Sequence, residues 1–232
     1  MKHLFILCLA AAGLTTASVQ VVLNVNNNSL YNTGGRFFPI MGAAPVSNTQ
    51  VVNLKEGSPF FLNEWGKSKV VTAEGAAYDG VKVKLNLLEH KVHYMDSAGN
   101  ELVVGTPLRE IIYPVTSTGK AYHFVSGNIL PGERKGWFLL LVNDTLSLVK
   151  GFKKSFEEHR SYNSSTEYSI QTNESYHVFY NNQEYGVKKP SDFADILPAK
   201  KAEIQAHSKK ISSKLSKDEQ LTEMAAFCNT LL

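Results

Sequence analysis

The chain has 232 residues, of which 43% are hydrophobic and 19% charged, with 24 Lys and Arg against 21 Asp and Glu. That is enough length and apolar content for one large domain with a packed core, and it excludes a wholly disordered chain. A formal charge of +3, scattered along the sequence, gives no ground for nucleic acid as a partner, whereas ten Tyr and twelve Phe suit a β-rich protein.

The N-terminus reads as a secretory signal peptide. Lys2 and His3 precede an apolar run from Leu4 to Leu14, followed by Thr15, Thr16 and Ala17. Small residues at that position predict cleavage between Ala17 and Ser18. The run is shorter than the ~20 residues of a membrane span, so no span is expected in the mature chain. Cleavage removes Cys8 and leaves Cys228, which excludes an internal disulfide. An exported protein without disulfides suits a bacterial envelope: the periplasm, or the outer-membrane surface.

Residues 18–56 read as an irregular segment with one strand, Val19 to Val25, and an apolar plug, Phe37 to Met41. Residues 57–189 read as an antiparallel β domain. It opens on a turn-rich stretch whose large anchors are Phe60, Phe61 and Trp65. The central stretch follows: Val81, Val83, Leu85 and Leu87 alternate with Lys82, Lys84 and Asn86, giving one apolar and one wet face. Turn clusters at Glu74-Gly75, Asp79-Gly80 and Asp96 to Asn100 punctuate it.

Further strands are predicted at Glu101–Val104, Leu108–Tyr113, Ala121–Val125, Trp137–Val142 and Thr145–Val149. Trp137–Val142 reads as buried on both faces, and Thr145–Val149 as buried on one. Gly151 to Glu158 reads as a charged connector. Asn163 to Thr172 and Tyr176 to Tyr180 read as a strand pair, with a hairpin closing onto Tyr185. From Pro190 the period changes. Residues 190–232 predict a short helix at Ser191–Leu197 and a second at Ala199–Ile211. A third opens on the capping box Ser216-Lys217-Asp218-Glu219. In it Leu221, Met224, Ala225 and Cys228 share a face turned to the sheet, which makes Cys228 a buried small residue. The expected fold is mainly β: an antiparallel meander sheet, forming a sandwich or an open, curled, barrel-like sheet, with a short C-terminal helical tail.

No motif for catalysis stands out. The sequence has neither a Gly-x-Ser-x-Gly elbow nor a P-loop. His90 and His93 are three apart, so on a strand they point to opposite faces and cannot share a metal. Glu157-Glu158 and Asp192/Asp195 are carboxylate pairs of a kind any chain with 21 acidic residues contains. No catalytic residue, metal site or cofactor is therefore expected. The candidate contact surface is the Tyr-rich hairpin, Tyr176, Tyr180 and Tyr185, together with Lys82 and Lys84 on the wet face. The Lys-rich tail offers peripheral contact with a membrane surface.

Three groups of residues carry a resemblance: Gly57-Ser58-Pro59-Phe60 with Trp65-Gly66; Gly75, Tyr78, Gly80-Val81, Val83 and Leu85-Asn86; and, in the tail, Leu197-Pro198, Lys200-Lys201, Glu203-Ile204, Lys210, Leu215, Glu219, Leu221 and Asn229. In these the chain resembles uncharacterised exported β-rich envelope proteins of Bacteroidota-type bacteria. It departs from their pattern at Leu87-Leu88 and at Cys228. The resemblance implies an envelope location and a β domain with a helical tail, and it brings no activity. The function expected is that of a non-enzymatic binding or interaction protein, with an envelope protein as partner. The alternative is a periplasmic carrier with an apolar cavity for a small ligand or lipid. A hydrolase ranks behind both.

Overall fold

A computed structural model describes residues 54–114, 119–132, 134–159 and 167–232, and the backbone of a short strand at Ala44–Pro45. The predicted signal peptide, its cleavage site at Ala17 and Ser18, the strand Val19–Val25 and the plug Phe37–Met41 lie outside these residues.

The chain forms one large sheet followed by helices. Its strands are β1 (Ala44–Pro45), β2 (Leu54–Glu56), β3 (Gly66–Thr72), β4 (Ala77–Asn86), β5 (Lys91–Met95), β6 (Glu101–Val103), β7 (Leu108–Tyr113), β8 (Tyr122–Ser126), β9 (Trp137–Val142), β10 (Ser147–His159), β11 (Glu167–Tyr180) and β12 (Gln183–Val187). Eleven follow one open path, β1-β6-β5-β4-β3-β7-β8-β9-β10-β11-β12, and β2 adds a short parallel pairing to β11. The sheet is therefore two meanders joined where β7 pairs with β3. The mainly β, antiparallel architecture read from the alternation is present. Val81, Val83, Leu85 and Leu87 are buried, and Lys82 is exposed between them.

Two apolar cores lie on one face of the sheet. The first is enclosed as β3, β4, β5, β7, β8 and β9 curl over Phe61 and Leu62. Phe61 meets Phe124 at 4.7 Å, Tyr122 at 4.8 Å and Phe152 at 5.8 Å between ring centroids, all edge-on, the arrangement aromatic quadrupoles favour. Lys154 pins the segment that supplies Phe61: its Nζ donates to the carbonyls of Ser58 (2.7 Å) and Phe60 (2.9 Å). The second core lies between β10–β12 and three helices, α1 (Phe193–Ile196), α2 (Lys201–Ser208) and α3 (Lys217–Asn229). Helix α3 starts at the expected capping box. Ser216 Oγ accepts from Glu219 N at 3.3 Å, and Glu219 Oε2 accepts from Ser216 N at 2.8 Å. Leu221, Met224, Ala225 and Cys228 all face the core, fully buried, and burial pushes the Cys228 thiol up to about 11.

Two readings of the sequence are corrected. The charged connector Gly151–Glu158 belongs to β10, and the two strands expected over Asn163–Tyr180 are, from Glu167 on, the single strand β11. Here β10 and β11 run as a ribbon past the ends of β9 and β12, joined by β2 at Tyr168 and Ser169. Most of the ribbon's side chains meet water, so burial imposes no alternation to read. The burial of the β9–β10 pair is also reversed. In β9, Trp137 and Leu139 are buried while Phe138 and Leu140 are half-exposed; in β10, Leu148 and Val149 are buried on opposite faces.

Candidate functional site

Side chains alternate across a strand, so the residues between the core positions form the reverse face of the sheet. On β8, Phe124 is core and His123 and Val125 point away; on β9, Leu139 is core and Phe138 and Leu140 point away. On β11, Tyr176 and Val178 are core and His177 and Phe179 point away. Across β7–β11 this reverse face forms an open groove of about 450 Å³, within the size range of ligand-binding clefts.

Val125, Val149 and Phe179, themselves buried, form the apolar floor of the groove, and Leu140 is the more exposed apolar residue beside them. The loop from Gly127 to Gly136 supplies a wall, Ile129–Pro131, in which Ile129 is 46% exposed. The loop closes on itself, Arg134 N donating to Gly127 O at 3.0 Å and Gly127 N to Gly136 O at 2.8 Å. A Cβ on Gly127 would overlap the Arg134 carbonyl at 2.1 Å, so this closure requires glycine. Arg134 then reaches back across the sheet, its guanidinium stacked 5.9 Å from the Phe179 ring and ion-paired to Glu184.

Polar groups mark the groove's ends. At one, Glu110 receives two partners: Arg109 Nε lies 2.9 Å from its Oε1, and His123 Nε2 lies 2.9 Å from its Oε2. The terminal nitrogens of Arg109 have no partner among the described residues, and the side chain is 42% exposed. Asn143, Thr145 and Asn182 stand at the other. Asn181 and Asn182 form the two-residue turn between β11 and β12, both with positive φ (50° and 58°), the conformation a tight hairpin demands.

Beside the groove, on β11 and β12, His177 Nδ1 lies 2.6 Å from Glu184 Oε1 and its Nε2 lies 2.8 Å from Ser175 Oγ. Burial first, and then the charge of Arg134, hold His177 below the usual histidine range. The unfolded chain thus binds this proton more readily than the folded one. The stability His177 contributes is complete above the unfolded pKa of about 6.5 and is lost as pH falls through it toward the folded value. Urea midpoints measured between pH 7 and pH 5 are expected to fall more steeply for the wild type than for His177→Gln. Equal slopes would contradict this assignment.

The residues singled out in the sequence have other settings. Tyr176 is 3% exposed, and its hydroxyl donates to Asp218 Oδ1 at 2.5 Å; burial and the neighbouring acids raise its pKa far above the tyrosine range. Lys150, almost buried beside it, bridges Asp218 at 3.0 Å and Glu174 at 2.9 Å, which ties α3 to the sheet. Tyr180 and Tyr185 pack half-buried against the second core. Of the hairpin tyrosines, therefore, only these two offer partial surface. Lys82 is exposed, whereas the ammonium of Lys84 lies 5.1 Å from the Phe60 ring centre and 4.8 Å from that of Trp65.

His93 is buried with its Nδ1 2.7 Å from Glu101 Oε1, while His90 sits in the turn before β5 with φ 58°. Asp192 caps a turn by accepting from Lys188 N and Lys189 N. Glu157 accepts from Gln171 Nε2. Among the described residues no cluster of three or more His, Cys, Asp or Glu is placed to hold a metal ion, and no helix is long and apolar enough to cross a membrane. The groups that converge, Arg109 with Glu110 and His123, and Arg134 with Glu184, His177 and Ser175, were not singled out in the sequence. No known protein family matches this chain, and neither a curated protein nor a solved structure similar to it was found.

Proposed function

We propose that this is an exported, non-enzymatic binding protein of the cell envelope, whose reverse-face groove receives an extended, carboxylate-bearing segment of a partner protein. The observation that carries the reading is the groove itself, which combines an apolar floor, an exposed Ile129 on its wall and, at one end, an arginine whose terminal nitrogens have no partner among the described residues. Apolar area provides the affinity in such sites, and a few convergent polar groups fix orientation. The groove is open, which suits a chain segment laid across the strands. The carrier reading has less support, because aromatic rings occupy the curl of the sheet that would have to house a lipid. Export is supported by the charged, apolar and small-residue pattern of the first 17 residues.

The test is crosslinked affinity capture of the tagged full-length protein from its native envelope, with the wild type against Arg109→Glu. One stoichiometric partner is expected, with yield at least tenfold lower for the variant. Equal capture by both would remove the groove from the interface. Uptake of an apolar dye with no partner captured would favour the carrier.

A further inference from the structure

The Ser175–His177–Glu184 cluster has an order that surface hydrogen bonding alone does not require. A carboxylate only accepts, so the 2.6 Å contact with Glu184 places the imidazole proton on Nδ1. The neutral ring then has only Nε2 as an acceptor, and the Ser175 hydroxyl, 2.8 Å away, donates to it. Hydroxyl, Nε2, Nδ1 and carboxylate in that sequence constitute an oriented general base next to a nucleophile. Arg134 holds Glu184 from the far side.

The neighbouring positions are unusually bare. Ser175 pairs with Gly151 on β10, and His177 pairs with Gly186 on β12. Glycine within a strand weakens it and often marks a close approach. A Cβ at Gly151 would lie 2.8 Å from Ser175 Oγ and 3.2 Å from the Phe138 ring, so glycine is what leaves room for the hydroxyl. None of the described residues lies within 4 Å of a Cβ built at Gly186, so the second neighbour is open as well. Ser175 is exposed, and Phe138, its ring edge-on to His177 at 6.2 Å, gives an apolar surface beside it.

We infer that Ser175 is a reactive serine that accepts acyl groups from activated esters. In the step, Ser175 Oγ bonds to the ester carbonyl carbon as its proton passes to His177 Nε2. The bond from that carbon to the leaving oxygen then breaks, and the leaving oxygen takes the proton from Nε2. An acyl-serine and a free alcohol result, with the imidazole neutral again. Ser175 lies inside the β10–β11 ladder, a strand setting rather than the helix start or turn that aims two N–H groups at one oxyanion. The expected outcome is a single acylation, with no rapid turnover. This is independent of what occupies the groove.

The test treats the full-length protein with p-nitrophenyl acetate and maps acetylated peptides over time. Ser155, exposed on the same ribbon, is the internal reference. Acetylation of Ser175 at least tenfold faster than Ser155 is expected, falling to the Ser155 rate in His177→Gln and by a smaller factor in Glu184→Gln. The Ser175 rate should already be flat at about pH 6.5 and above, because folded His177, held below the usual histidine range, is neutral there. Ser175 labelled no faster than Ser155, or equally in a folded His177→Gln, would overturn the inference. If His177→Gln does not fold, an unchanged rate in Glu184→Gln with no plateau in the wild type would do so.

Discussion

Replacing Phe124 by Ala is expected to lower the unfolding free energy by about 3–5 kcal/mol, the usual cost of deleting a buried aromatic ring. Phe124 is fully buried on β8 and meets the rings of Phe61, Tyr113 and Phe152 at 4.7, 6.3 and 6.1 Å. Each lost edge-on contact adds to the transfer term, and the surrounding strands are held by ladders on both sides and cannot close the gap. For a protein with the usual 5–15 kcal/mol of stability, this is a large fraction. Urea unfolding followed by tryptophan fluorescence checks it, since Trp137 lies in the same core. His123→Ala, on the next position of β8 but on the reverse face, should cost about 1 kcal/mol or less. Equal losses for the two variants would mean that β8 does not divide core from groove as described.

The second large effect is expected at Leu221→Ala, about 2–5 kcal/mol. Leu221 is fully buried on α3 and belongs to the core shared with Leu148 and Val178 of the sheet. The lock formed by Lys150, Asp218 and Tyr176 fixes the start of the same helix. Because β9 contributes to the first core and its Leu141 also packs on the second, the two cores should fail together. Far-UV circular dichroism of the helices and tryptophan fluorescence should give the same urea midpoint in this variant. A helical signal lost well before the fluorescence change would mean that the tail is a separate unit.

Local physics made parts of this fold legible. Ser216 and Glu219 announce α3 because a capping box is a four-residue event. The alternation of Val81, Val83, Leu85 and Leu87 announces β4 because burial on one face imposes a period of two. The β10–β11 ribbon escaped the same test: with water on most of its surface, Lys153, Glu157, Thr172 and Asn173 satisfy no pattern. The pairing of β7 with β3 is set by tertiary packing, and no local signal in the sequence records it.

The same distinction explains the site. Ser175 and His177 stand two apart on one strand, a spacing visible in the sequence, but Glu184 joins them only through the tight turn at Asn181–Asn182. The groove needs Val125, Leu140, Val149 and Phe179 to be brought side by side by strand order. Tyr176 shows the reverse case. It looks like a contact residue within a Tyr-rich hairpin, yet the parity of β11 turns it toward α3 and leaves Phe179 to the groove.

The reverse-face groove is the proposed meeting place with a partner. A photoreactive benzoylphenylalanine placed at Ile129, on the groove wall, tests it most directly, with the same residue at Lys209 beyond α2 as the control. Irradiation of intact envelopes should yield one discrete adduct from position 129 and none from position 209, with acidic residues near the crosslinked site of the partner. No adduct at 129, or the same products from both positions, would mean that the partner does not bind in the groove.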